Sequence, residues 1–267
     1  NKSVVADEVR AELGLASNAN IIMCAGYADH RKGFDYFVQS CMTVFKQIPN
    51  TYALWVGHLH TPFVNECMQI AIDAGLNERF IFTGLVEDPR KYYAAANVYA
   101  LTSREDPFPS VVMEALDALT PVVAFKDCGG FENLLSRQCG LLVPKDNVSA
   151  YSDALISLLQ NPSEAKILAE KGKAIVEQEL SFYHYLFDLL KFGGCAVPKV
   201  SVAVPNYNYA KYIVSRLESI TNQTFPLYEL IVLDDKSSDN SIDVIKEYLT
   251  RCEIPHRLIV NEQNSGS

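Results

Sequence analysis

Residues 20–56 read NIIMCAGYADHRKGFDYFVQSCMTVFKQIPNTYALWV. The stretch opens and closes on short, nearly continuous apolar runs, at 20–25 and 52–56. Between them Phe34, Phe37, Val38, Cys41, Val44 and Phe45 recur at the three-and-four spacing of one helix face. The pattern predicts a strand over 20–25, a helix over 34–45 and a strand over 52–56 that Gly57 ends. A strand that is apolar throughout is buried on both faces, as in a parallel sheet covered by helices. This unit therefore sets the fold class.

The alternation continues outward. A helix is expected over 63–74, stopped by Gly75, then a strand over 80–83. Asp88-Pro89 supplies a good cap and first residue for a short helix over 89–96. Strand 98–102, helix 110–118, strands 121–125 and 141–143 and helix 148–159 follow. A mainly helical tract covers 164–192, with a break expected near Leu180-Ser181, and a further helix covers 4–13. Repeated strand–helix units predict an α/β fold, a Rossmann-like parallel sheet with helices on both faces. Ligands in such sheets bind outside the carboxyl ends of the strands, beside helix N-termini.

Gly193-Gly194 and Pro198 then form a connector. Strand 200–204, helix 211–221, strand 229–233, helix 241–249 and strand 257–260 restart the pattern. The expected domains are 1–192 and 199–267, with 193–198 as linker. Three strands make a thin sheet with an open edge, so the second domain reads as truncated. The opening helix, with nothing before it, reads as cut in the same way.

The apolar share is 49% and the charged share 21%, ordinary for a soluble, core-forming protein. The net charge of −9 gives no global electrostatic case for nucleic acid, so a phosphate ligand would need locally gathered cations. No apolar run approaches the ~18 residues of a membrane span. The seven cysteines are odd in number and lack CxxC or metal-ligand spacing, which reads as reduced thiols of a cytosolic protein.

Three strand-to-helix loops carry candidate chemistry. In the loop from Gly26 to Gly33, Arg31 and Lys32 stand at a helix start and Gly33 permits close backbone approach, which suits a diphosphate. A solvated basic turn is the plain alternative. In 103–115, Pro107 and Pro109 stiffen a loop around Phe108, and amides at Ser110, Val111 and Val112 would face an anion. Asp106 and Glu114 lie eight residues apart there, placed to accept sugar hydroxyls, or else a loop cap and a surface acid. The third loop holds Gly129-Gly130 before Phe131-Glu132, where backbone amides could approach a phosphate or sugar, although paired glycines also serve ordinary turns. Together the loops offer the parts of a nucleotide-sugar site.

These motifs resemble a family-4 retaining glycosyltransferase of GT-B architecture, with residues 1–190 similar to its C-terminal, donor-binding half. Arg31-Lys32-Gly33 resembles the family's phosphate-binding lysine motif, Asp106 to Glu114 its E-x7-E motif, and Gly129-Gly130-Phe131-Glu132 its G-G-x-x-E loop. The run CGLLVPKDN at 139–147 resembles the segment that follows. Asp106 stands where the motif has Glu, and Tyr27 where many members have Arg. The resemblance implies that Lys32 and Arg31 neutralise the diphosphate leaving group, Glu114 holds the ribose, and Asp106 with the amides near Gly129 and Gly130 holds the sugar. Gly26, Gly33, Phe108, Pro109, Ser110, Val111 and Glu132 would line the substrate. It further implies retention by front-face attack without a covalent intermediate, and no cofactor or metal in this domain.

In the second segment Pro205-Asn206-Tyr207-Asn208, Gln223-Thr224-Phe225 and the run from Ile231 to Ser241 stand out. Asp235 ends a buried strand, where a carboxylate needs a ligand or donors, unless it caps the Ser-rich turn. The segment resembles the opening of a family-2 glycosyltransferase of GT-A fold. That implies Pro205, Tyr207, Asp234 and Asp235 around uracil and ribose, with Asn264-Ser265-Gly266 beginning the next family segment. Divalent Mg or Mn and the catalytic base are implied only for a complete family-2 domain.

The resulting expectation is a hexosyltransferase fragment, inactive by itself. It would serve transfer from a UDP- or GDP-sugar to a glycan or lipid-linked acceptor in bacterial polysaccharide biosynthesis. It would act in the cytoplasm, at the inner membrane face through parts outside these residues. The competing readings are a phosphorylase or epimerase of the same architecture, for which no pyridoxal-lysine motif is found, and a nucleotide-binding module without catalysis.

Overall fold

Strand β1 (Asn20–Ala25) is buried along almost its whole length, with Ile21, Ile22 and Met23 fully inaccessible, as a two-faced apolar strand requires. The structure is a computed structural model that describes residues 2–180, 182–195, 198–223, 225–264 and 266. It divides into two units, after Leu180.

The first unit opens with α1 (Lys2–Glu12), β1, α2 (Phe34–Gln47), β2 (Thr51–Val56) and α3 (Thr61–Asp73). It continues through β3 (Phe80–Gly84), α4 (Arg90–Ala95), β4 (Val98–Leu101), α5 (Ser110–Asp117) and β5 (Val122–Phe125). It closes with α6 (Phe131–Leu135), β6 (Gly140–Val143), α7 (Val148–Gln160) and α8 (Pro162–Glu179). A short 3-10 turn at Asn77–Arg79, which the periodicity does not signal, leads into β3. The apolar stripe of α2 is buried, and Trp55 of β2 meets Phe34 and Phe37 edge-on with centroids 5.0 and 5.2 Å apart. Helices thus cover a core built on aromatic contacts.

All six strands are parallel, in the order β3-β2-β1-β4-β5-β6. The fold is the expected α/β sheet flanked by helices. Chain growth reverses between β1 and β4, which pair at Ile22↔Val98 and Met23↔Tyr99. The loops leaving these two strands therefore open on either side of a crevice, the usual binding place in such sheets.

The second unit holds α9 (Phe182–Phe192), β7 (Ser201–Asn206), α10 (Ala210–Thr221), β8 (Glu229–Asp234), α11 (Ser241–Leu249) and β9 (His256–Val260). Its strands are parallel in the order β7-β8-β9. Val204, Leu230 and Val232 are buried with Ile213, Leu217, Ile245 and Leu249 of the helices. The alternate residues Ala203, Pro205, Leu233 and Ile259 are exposed.

The division between the units and the end of β7 differ from expectation. Helix α9 belongs with the second unit, so the division falls twelve residues before the expected 192. Strand β7 runs on through Pro205 to Asn206, which an edge strand tolerates because it needs no second ladder of N–H donors. The helical break is present between α8 and α9, while Ser181 itself lies outside the described residues, as do Thr224 and Ser265 of the expected motifs.

Candidate functional site

The crevice between β1 and β4 is closed at its base by backbone. Gly33 has φ +68°, and a Cβ there would stand 2.0 Å from the Thr102 carbonyl oxygen. Only glycine meets both demands. Thr102 Oγ1 donates to the Lys32 carbonyl at 3.0 Å, and the Arg104 amide donates to the Arg31 carbonyl at 2.8 Å. The loop after β1 is thereby stitched to the loop after β4.

Lys32 Nζ lies 2.5 Å from Asp106 Oδ2, with side chains 12% and 11% exposed. The lysine stem passes over Gly26, where a Cβ would lie 3.2 Å from its Cε. Asp29 Oδ1 accepts the Lys32 amide at 2.7 Å, and Ser103 Oγ stands 3.4 Å from Asp106 Oδ2. Arg31 is half exposed, 4.0 Å from the same carboxylate oxygen, and donates to the Glu105 carbonyl at 3.2 Å. The structure thus brings Gly26, Arg31, Lys32, Gly33 and Asp106 to one place.

The glycine pair meets this group from the loop after β5. The Asp106 amide donates to the Cys128 carbonyl at 2.8 Å, and a Cβ on Gly129 would lie 1.7 Å from the Asp106 carbonyl oxygen. Gly129 is therefore required for chain packing. The Gly130 amide donates to the Pro107 carbonyl at 2.7 Å, so it is already engaged and does not reach for a ligand as the motif suggests. Glu132 is likewise engaged locally. Its Oε1 accepts the amide of Asp127, a residue held at φ +57°, at 2.5 Å.

Helix α5 begins at Ser110 after the buried Pro109, with Phe108 exposed beside it. The Val112 amide donates to the Pro109 carbonyl at 3.1 Å, which leaves the Ser110 and Val111 amides as the open end of the helix. Glu114 follows, partly buried, beside Tyr93. Burial, and after it the Glu114 charge, pushes the Tyr93 hydroxyl far above its ordinary value.

Arg104 was not foreseen. Its guanidinium holds Asp35 at the start of α2 with two bonds of 2.8 and 2.6 Å, and donates to the His30 carbonyl at 2.6 Å. It also stacks 3.8 Å over the ring of Tyr36, whose hydroxyl donates to Asp146 Oδ1 at 2.8 Å. Burial raises the Asp35 carboxyl, but the Arg104 bonds and charge outweigh it and hold the group below its ordinary value. The only local hint in the sequence is an acid in the first turn of α2, because its partner lies 69 residues away.

In the second unit the two adjacent aspartates separate. Asp234 is buried, with Oδ1 accepting the Ser237 amide at 2.7 Å and Oδ2 accepting Asn206 Nδ2 and Ser237 Oγ, both at 2.7 Å. It holds the turn together, against its expected place at the ligand. Asp235 Oδ1 accepts Asn261 Nδ2 at 2.8 Å, and with Pro205, Tyr207, Tyr209, Tyr212 and Arg216 it borders a cavity of about 1180 Å³. Among the described residues no three His, Cys, Asp or Glu side chains are grouped to hold a metal, and no helix is long and apolar enough to cross a membrane.

The family described as "Glycosyl transferases group 1" matches residues 5–175, and "Glycosyl transferase family 2" matches 201–267. The chain is 28% identical over 173 residues to the lipopolysaccharide core biosynthesis mannosyltransferase LpsB of Rhizobium meliloti, covering 62% of this chain and 49% of that protein. It spans about half the length of the curated relatives it matches. Two solved structures share its fold. The C-terminal domain of a group 1 family protein (LpcC) from Francisella tularensis superposes with TM-score 0.60 at 20% identity, over 66% of this chain and 93% of that one. Anabaena Alr3699/HepE in complex with UDP superposes with TM-score 0.66 at 22% identity, over 72% of this chain and 52% of that one. With the first match covering well over half of its residues, the chain belongs to the glycosyl transferases group 1 family.

Proposed function

We propose that residues 2–180 are the donor-binding half of a retaining, family-4 hexosyltransferase that takes a UDP- or GDP-sugar. The observation that carries this is the Lys32–Asp106 pair in the β1/β4 crevice, beside the open end of α5. A sheltered ammonium, a nearby guanidinium and two free helix-start amides suit a diphosphate. UDP in the Alr3699/HepE structure supports a nucleotide ligand, and the relation to LpsB supports a glycan or lipid-linked acceptor in bacterial surface polysaccharide assembly. The proposed place of action is the cytoplasm, at the inner membrane face.

In this reading Lys32 and Arg31 stabilise the departing diphosphate, helped by the Ser110 and Val111 amides. Glu114 accepts the ribose hydroxyls. Asp106 aims Lys32 through Oδ2 and presents Oδ1 to the sugar. The bond from the anomeric carbon to the β-phosphate oxygen breaks as the acceptor oxygen attacks the same face, and the acceptor proton passes to the departing phosphate. Catalysis is charge stabilisation and positioning, with no protein nucleophile and no cofactor. Residues 199–267 are read as the opening of a family-2 domain, with Pro205, Tyr207 and Asp235 toward its nucleotide.

Titration calorimetry of the chain with UDP, GDP and their nucleosides tests the reading. The diphosphate of the correct base should bind about ten- to a hundred-fold tighter than its nucleoside. Equal affinities, or no binding of either diphosphate, would contradict it. Turnover of the matching nucleotide sugar when an acceptor-binding half is supplied separates a transferase from a module that only binds.

A further inference from the structure

We propose that Arg104 is a positioning residue that presents Lys32 and Arg31 to the donor diphosphate. The inference rests on the diphosphate reading of Lys32 given above. The loop from Gly26 to Gly33 has two cations at its far end and must present them in one conformation. Arg104 grips that loop at two carbonyls and the start of the helix that follows it. Its amide holds the Arg31 carbonyl, its Nη1 holds the His30 carbonyl, and its guanidinium forks onto Asp35 just beyond Gly33. The guanidinium is fixed in turn by the Tyr36 ring beneath it, and Tyr36 is anchored to Asp146 in the loop after β6. Arg104 is two residues before Asp106, so the same short segment that supplies the carboxylate partner of Lys32 also clamps the backbone on which Lys32 sits. Nη1 serves both His30 and Asp35, Nη2 also reaches Asp35, and the guanidinium face lies on Tyr36, so Arg104 acts through the loop.

A lysine cannot reproduce this arrangement, because it offers a point charge where Arg104 uses a planar fork together with a stacking face. The effect should therefore depend on shape as well as charge. Losing the clamp should matter to the diphosphate through Lys32 and leave the nucleoside end alone.

The test uses the full chain, with the tighter of UDP and GDP and the matching nucleoside as probes. Arg104→Gln should weaken the diphosphate about tenfold while the nucleoside changes less than about twofold. Arg104→Lys should not restore the loss. Asp35→Asn, which keeps the side-chain shape, should give the same ligand pattern by a second route if Arg104→Gln fails to fold. Combined with Lys32→Ala, either change should add clearly less than its loss in the parent chain, because one of the two residues it positions is gone. Equal losses for both ligands, or a full further loss on top of Lys32→Ala, would mark Arg104 as merely structural and overturn the inference. If Lys32→Ala weakens the diphosphate but Arg104→Gln and Asp35→Asn do not, the inference also fails. If Lys32→Ala itself leaves the diphosphate unchanged, the diphosphate reading is what has failed.

Discussion

Lys32 Nζ and Asp106 Oδ2 meet at 2.5 Å although the two residues stand 74 positions apart in the chain. Sheet order makes this possible. Strands β1 and β4 are neighbours despite two intervening strands, so their loops face each other across the crevice. The pair is sheltered but not sealed, which keeps the ammonium aimed while leaving it reachable.

Gly33→Ala should destabilise the first unit by roughly 2–5 kcal/mol, from the left-handed backbone together with the clash on Thr102. Gly75→Ala is the control. Its φ is +66° but a Cβ there meets nothing within 4 Å, so only about 1–2 kcal/mol is expected. Trp55 is the one tryptophan in the chain and is fully buried in this unit. Urea unfolding followed by its fluorescence reads the difference, and equal midpoints for the two variants would refute the packing argument.

Asp234→Asn should lower the stability of the second unit by about 2–3 kcal/mol, because a carboxamide cannot accept all three bonds that converge there. Asp235→Asn should cost much less. The second unit holds no tryptophan, so its unfolding appears in circular dichroism without a change in Trp55 fluorescence. A larger loss for Asp235→Asn would reverse the assignment of structural and cavity-facing acids.

The Asp35 carboxyl is held below its ordinary value once the Arg104 bonds overcome its burial. Its contribution to stability is therefore full above the ordinary carboxylate range and is lost as pH falls through the lowered folded value. The stability gap between the parent chain and Asp35→Asn should shrink between about pH 6 and about pH 3. A gap that stays constant over that range would show that the ion pair does not carry it.

How much of this was legible in the sequence depends on the range of each interaction. Strand β1 and helix α2 follow from local periodicity, and the breaks at Gly57 and Gly75 from the conformational freedom of glycine. The loops holding Lys32, Asp106 and Gly129 could be placed at strand ends because strand–helix alternation fixes where loops emerge. Which donors in those loops were already engaged could not be read. The Gly130 amide faces Pro107 of a neighbouring loop, whereas Glu132 turns back to accept the Asp127 amide and Val112 bonds Pro109 within their own turns. Arg104 shows the same limit, since its partners Asp35 and Tyr36 lie on another element with no shared period. Asp234 and Asp235 are adjacent, and the strand pleat alone sends them to different duties.

The central claim is that Lys32 and Glu114 bind opposite ends of one nucleotide, and calorimetric titration of Lys32→Ala and Glu114→Gln tests it most directly. With the preferred nucleoside diphosphate and its nucleoside as ligands, Lys32→Ala should weaken the diphosphate about ten- to a hundred-fold and the nucleoside hardly at all. Glu114→Gln should weaken both by similar factors, because both retain the ribose. A Lys32→Ala loss that is equal for the two ligands, or a Glu114→Gln variant that binds both as the parent chain does, would contradict the account.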